Sequence, residues 1–127
     1  MRHLLSVVVS VYNEEEALAQ FYQVTEGILN TISWDYELVF VNDGSRDQSL
    51  SILNRLADSN PKVKVVSFSR NFGHEAAMIA GIDYSQGDGI ICMDADLQHP
   101  PACIPEIIRR FEAGYEVINM VRTKNES

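Results

Sequence analysis

The stretch Ile90-Ile91-Cys92-Met93-Asp94-Ala95-Asp96-Leu97-Gln98-His99-Pro100-Pro101 decides how this chain is read. Its first four residues have the length and composition of a buried strand. Its prolines suit the first turn of a helix, where a missing N–H leaves no bond unmade. Between strand and helix stand Asp94 and Asp96, spaced so that one divalent cation can reach both. Acids between a strand end and a helix start lie where an open α/β sheet binds its ligands. The stretch therefore predicts a metal-dependent binder of something phosphorylated.

Outward from it, apolar strands alternate with helical patterns, which predicts βαβ units on an open, mostly parallel sheet flanked by helices. Strands are expected at residues 4–12, 36–41, 63–68, 90–93 and 116–121. Asn13 is placed to cap a first helix whose opening turn is Glu14-Glu15-Glu16 and whose apolar stripe runs to about Ser33. Ser45 with Gln48 fits a capping box for a second helix that stops near Asn60-Pro61. An Ala-rich third helix is expected over residues 74–84. A fourth is expected over residues 101–113, with Ile104, Ile107, Ile108 and Phe111 facing inward and Gly114 ending it.

The 127 residues allow one domain, 1–127, and the 46% apolar content marks it as globular. A net charge of −8 argues against nucleic acid and gives no electrostatic reason to bind anionic lipid. It also means that a diphosphate needs a cation or helix N-termini to offset acidic walls. Cys92 and Cys103 form no CxxC pair and read as reduced core thiols of a cytoplasmic protein. No apolar run approaches the roughly 20 residues of a membrane span, and the N-terminus does not resemble a signal peptide.

Three polar sets fall at predicted carboxyl ends of strands: Tyr12-Asn13-Glu14, Asn42-Asp43-Gly44-Ser45 and Asp94-Ala95-Asp96. In a parallel sheet these ends share one edge, so the sets converge. Singly, each acid reads as a solvated turn or helix-cap residue; Glu14 can serve a helix dipole and Asp43 can hold its turn. Together they predict a site. A hard cation, Mg²⁺ or Mn²⁺, takes oxygen ligands, and Asp96 and the amide oxygen of Gln98 suit its first shell with Asp94 in or beside it. Asp43 and Glu14 can accept hydrogen bonds from a base or ribose, and Tyr12 offers a ring to pack on the base. His74, His99, Trp34 and Arg70 invite over-reading. The histidines read as exposed polar residues at helix starts and Trp34 as a loop anchor, while Arg70 is either a phosphate contact or half of a surface ion pair.

The ordered set Val8-Val9-Ser10-Val11-Tyr12-Asn13-Glu14-Glu15, Val41-Asn42-Asp43-Gly44-Ser45-Arg46-Asp47 and Asp94-Ala95-Asp96-Leu97-Gln98 closely resembles family 2 glycosyltransferases of the GT-A fold. Ser69-Arg70-Asn71-Phe72-Gly73, Glu75-Ala76-Ala77 and Asp96-Leu97-Gln98-His99-Pro100-Pro101 resemble the subgroup that moves a sugar onto a polyprenyl phosphate, such as bactoprenol glucosyltransferases and dolichol-phosphate mannose synthases. The resemblance spans the whole chain but only the first part of such an enzyme. It implies a Rossmann-like nucleotide-binding part of a GT-A fold, truncated before the acceptor-binding segment and any membrane helices. It implies an inverting, metal-dependent transferase of the cell envelope. The donor would be a nucleotide sugar, with UDP favoured and GDP possible, and the full-length protein would be membrane-associated at the cytoplasmic face.

The roles it implies are Asp94 and Asp96 as catalytic residues and Asp96, Gln98 and Asp94 as metal ligands. Tyr12, Glu14, Asp43, Asp94 and Arg70 would bind substrate, Arg70 facing a phosphate. Because a lipid phosphate arrives ionised and attacks directly, the chemistry would rest on leaving-group stabilisation and positioning. Residues 1–127 alone are expected to bind nucleotide and metal weakly without transferring sugar. Two departures stand out: Ser10 replaces the usual proline, which is expected to loosen the end of the first strand, and Asn125 replaces a second basic residue after Arg122. The competing readings are a nucleotide-binding or assembly module without transferase activity and an Asp-x-Asp phosphatase. The phosphatase is disfavoured because its pair follows the first strand.

Overall fold

A computed structural model describes residues 3–95 and 101–113 and the backbone of 119–120. Five parallel strands form one sheet in the order β3-β2-β1-β4-β5. They are β1 (Leu4–Val11), β2 (Asp35–Asn42), β3 (Val63–Ser67), β4 (Gly89–Asp94) and β5 (Asn119–Met120). The helices are α1 (Leu18–Leu29), α2 (Ser49–Ser59), α3 (His74–Tyr84) and α4 (Ile104–Glu112), with a 3₁₀ turn at Pro101–Cys103 leading into α4.

The uninterrupted apolar runs of β1, β2 and β4 follow from burial on both faces. Alternate residues divide between two cores. Val7, Val9, Val11, Leu38, Phe40, Ile91 and Met93 meet Leu18, Phe21, Leu53, Ile104 and Ile108 of α1, α2 and α4. Val8, Val39, Val41 and Cys92 meet Ala77 and Met78 of α3. Helix α3 lies close because Gly81 has no side chain: a Cβ there would stand 2.3 Å from Val8 Cγ1. At the far end of this second core, Ser6 Oγ donates to buried Glu37 Oε2 at 2.6 Å and the Gln86 N–H donates to the same oxygen at 2.7 Å. That network ties the α3–β4 turn to the sheet.

The chain crosses from β3, at one edge, behind β2 and β1 through α3 to reach β4 on the other side of β1. The strand order therefore reverses between β1 and β4, which opens a crevice at their carboxyl ends.

Three expectations need correction. Helix α1 begins at Leu18, with Ala17 at its N-cap, so Glu14-Glu15-Glu16 form a turn before it. Asn13 takes a left-handed conformation at φ 54° and its side chain serves the neighbouring loop. Ser45 and Gln48 make no capping box: α2 begins at Ser49, and the Ser45 hydroxyl accepts from the Asn13 N–H instead. Ser10 does not loosen β1, since it pairs with Val41 on one side and Asp94 on the other. Trp34 is a buried anchor, as expected. Its Nε1 donates to Glu112 Oε2 at 3.0 Å and its ring stacks on Phe111, beside the start of β2 and away from the crevice.

Candidate donor-binding cleft

The loops after β1 and β2 are zipped together by reciprocal hydrogen bonds. The Asn13 N–H donates to Ser45 Oγ at 2.9 Å, and the Arg46 N–H donates to Asn13 Oδ1 at 2.8 Å. The Glu14 N–H donates to buried Ser49 Oγ, and the Glu15 N–H to Asp47 Oδ2. In return, the Gln48 N–H donates to Glu15 Oε1 at 2.8 Å. Glu15 thus satisfies an orphan donor at the start of α2, a helix other than the one that follows it in sequence. The Asp47 carboxyl lies below its ordinary value of 3.8: burial raises it, but bonds from Ser49 and the Glu15 amide outweigh that.

These loops form one wall of an open cleft of about 460 Å³, lined by Ser10, Tyr12, Glu14, Asp43, Asn71, Gly73, His74 and Asp94. Four of the residues singled out from sequence therefore meet: Tyr12, Glu14, Asp43 and Asp94. Tyr12 exposes its ring there. Asp43, directly after β2, is 2% exposed. Its carboxylate accepts from Asn71 Nδ2 at 3.0 Å, the Phe72 N–H at 2.7 Å and the Gly73 N–H at 3.1 Å. Asp94, at the end of β4, keeps a side chain 32% exposed and holds His74 Nε2 at 2.8 Å through Oδ1. His74 is exposed as expected, and it stands in the cleft because α3 starts at the same sheet edge.

Arg70 is not among the residues lining the cleft; its guanidinium lies 4.5 Å from the centre of the Phe72 ring. Asp96, Gln98, His99, Arg122 and Asn125 lie outside the described residues. Sequence reading gave Ser10 and Asn71 no role in the site and set His74 aside as an exposed residue at a helix start, yet all three line the cleft. The detectable signal was topological, because the loop after β3 and the start of α3 end at the edge where the three acid sets meet.

Ser10, Glu14 and Asp94 are among the residues lining the cleft, and hydroxyl and carboxylate oxygens such as theirs are what a hard divalent cation takes. Among the described residues, no three His, Cys, Asp or Glu side chains gather closely enough to hold a metal unaided. A cation at Asp94 would complete its shell with ligand phosphate and water, as Mg²⁺ commonly does. Among the described residues, no helix is long and apolar enough to cross a membrane.

Comparison with known proteins shows the family and the fold. Residues 6–127 match the profile described as Glycosyl transferase family 2. The chain is 48% identical over 126 residues to Uncharacterized glycosyltransferase YkcC of Bacillus subtilis (strain 168), covering 98% of this chain and 39% of that protein. It is 46% identical over 114 residues to the Prophage bactoprenol glucosyl transferase homolog of Escherichia coli (strain K12), covering 90% of this chain and 37% of the relative. The chain thus spans less than two-fifths of the length of these relatives. The fold is shared with the mannosyltransferase PcManGT from Pyrobaculum calidifontis, solved with GDP-Man and Mn2+ (TM-score 0.62, 23% identity, 76% of this chain and 28% of that one). It is shared also with S. aureus TarS 1-349, solved with UDP-GlcNAc (TM-score 0.64, 24% identity, 76% and 27%). The expected open α/β sheet is borne out, and the chain belongs to glycosyl transferase family 2.

Proposed function

We propose that the cleft between β1, β2 and β4 holds the nucleoside diphosphate of a sugar donor together with Mg²⁺ or Mn²⁺. The protein then transfers the sugar, with inversion, to a polyprenyl phosphate. The observation that carries this reading is the convergence of Tyr12, Glu14, Asp43 and Asp94 on one open cleft at the strand-order reversal. The PcManGT complex with GDP-Man and Mn2+ supports a divalent cation in this fold, and the bactoprenol-named relatives support a polyprenyl phosphate acceptor. UDP is the favoured nucleotide and GDP the second.

In this scheme Tyr12 packs on the base and Glu14 accepts from base or ribose. Asp94, Asp96 and Gln98 hold the cation and diphosphate, and the two aspartates are the catalytic residues. The cation, when bound, neutralises charge on the departing diphosphate. The acceptor phosphate is already ionised and needs no side chain to take a proton from it. Arg70 contributes a positive charge beyond the cleft rim, toward a donor or acceptor phosphate. The full-length protein works at the cytoplasmic face of a membrane. For residues 1–127 the proposal is confined to holding nucleotide and cation.

Thermal unfolding with UDP or GDP, each with and without Mn²⁺, tests it. Metal-dependent stabilisation by one nucleotide, lost in Asp96→Ala, is the expected result. No stabilisation of the wild type by either nucleotide contradicts the reading. Equal stabilisation of both proteins removes Asp96 from the ligand set.

A further inference from the structure

The Asp43 carboxylate faces a nucleotide cleft and is nevertheless taken up by the protein itself. Each of its oxygens already accepts: Oδ1 from the Phe72 N–H at 2.7 Å, and Oδ2 from the Gly73 N–H at 3.1 Å and Asn71 Nδ2 at 3.0 Å. The Asn71 amide also donates to the Asp43 main-chain carbonyl at 3.2 Å. An ionised carboxylate that binds main-chain N–H groups forms stronger bonds than a neutral acceptor does. Such a group also strongly resists leaving those donors unpaired.

The neighbouring residue makes the same contact from another direction. Gly44 sits at φ +71°, and a Cβ on it would lie 2.2 Å from the Arg70 carbonyl carbon and 2.3 Å from the Asn71 nitrogen. Asp43 and Gly44 together therefore seat residues 70–73 against the end of β2. Those residues in turn supply Asn71 and Gly73 to the cleft wall and lead into His74, the partner of Asp94.

The geometry points to Asp43 as a positioning residue. It acts on the nucleotide through the wall formed by Asn71, Gly73 and His74, and base or ribose is read by that wall and by Tyr12 and Glu14. The inference rests on the nucleotide reading above and deepens it.

The test uses this chain with UDP and Mn²⁺, or GDP and Mn²⁺ if the wild type takes that nucleotide, and the variants Asp43→Asn, Asn71→Ala and both together. Asp43→Asn keeps the shape and removes the charge. Amide hydrogen exchange at Phe72 and Gly73 should quicken at least about tenfold in it, and nucleotide affinity should fall roughly tenfold. Residues acting through one another give coupled losses, so the double variant should bind at least about threefold better than the product of the single losses. The affinities are compared at a temperature where urea unfolding shows every variant folded, because bonded partners also lose stability in a coupled way.

If Asp43→Asn does not fold, Asn71→Asp substitutes for it by placing a second carboxylate beside the first. It should quicken the same two amides and weaken nucleotide binding. Unchanged exchange at Phe72 and Gly73, or losses that simply multiply, overturns the positioning role while leaving the nucleotide site standing. A wild type that binds neither nucleotide overturns the nucleotide reading, and the positioning role falls with it.

Discussion

Asp43 and Asp94 stand at the carboxyl ends of the two strands that flank β1, Asp43 just past β2 and Asp94 as the last residue of β4, and both line one cleft, yet they are held in opposite ways. Asp43 is 2% exposed and accepts from three donors of the 71–73 segment. Asp94 has a side chain 32% exposed and meets another side chain, that of His74, across the cleft. The β1–β2 side, zipped by the bonds among residues 13–15 and 45–49, is a built wall. The β4 side keeps a partly exposed carboxylate in the cleft. A motif acid can therefore be part of a site as structure or as reagent, and burial distinguishes the two.

Substitutions on the two sides should behave differently. On the β4 side, Asp94→Asn should weaken Mn²⁺-dependent nucleotide binding roughly a hundredfold, because it removes a charge from the cation's shell. The exposed pair with His74 makes its cost in stability under about 1 kcal/mol. Titration calorimetry and urea unfolding on the same sample separate the two quantities. A large stability loss with little loss of binding would erase the distinction.

On the built side, Gly44→Ala should show the reverse emphasis. It forces a side chain into left-handed backbone and into contact with the Arg70 main chain. Urea unfolding should register a loss of at least about 2 kcal/mol. Ser49→Ala should cost less, about 1 kcal/mol or somewhat more, by leaving the Glu14 N–H without its acceptor.

The smallest effect is one of pH. The folded Asp47 carboxyl lies below its ordinary 3.8, so its contribution to stability is present above that value and disappears as pH falls through the folded value. The melting temperatures of wild type and Asp47→Asn, compared from about pH 6 to about pH 2, should converge only at the acid end. A gap that closed on the alkaline side would contradict the Asp47 bonds described above.

Much of the fold was legible because β1, β2 and β4 are apolar on both faces and α3 is bounded by Gly73 and Ser85, so pattern and punctuation agreed. The site was legible to the extent that strand ends in a parallel sheet must share an edge. The local caps were not. Asn13 and Ser45 look like cap residues for their own helices, but they exchange bonds between two loops, with partners more than thirty positions away. No local pattern distinguishes a donor satisfied at short range from one satisfied across a sheet edge. Glu37 escaped notice for the same reason: a charge inside an apolar strand is explained only once Ser6 and Gln86 are seen beside it.

The chain offers a second acidic hollow, lined by Asn13, Glu14, Glu15, Glu16, Ala17 and Asp47, and this makes one measurement especially direct. Amide signals followed during Mn²⁺ addition in the presence of UDP, and separately of GDP, locate the cation by paramagnetic broadening. The account predicts that with one of these nucleotides Ser10, His74, Asp94 and Ala95 broaden first, and that Asp94→Asn removes the effect. Broadening centred on Glu15, Glu16 and Asp47, or broadening indifferent to both nucleotides, would contradict it.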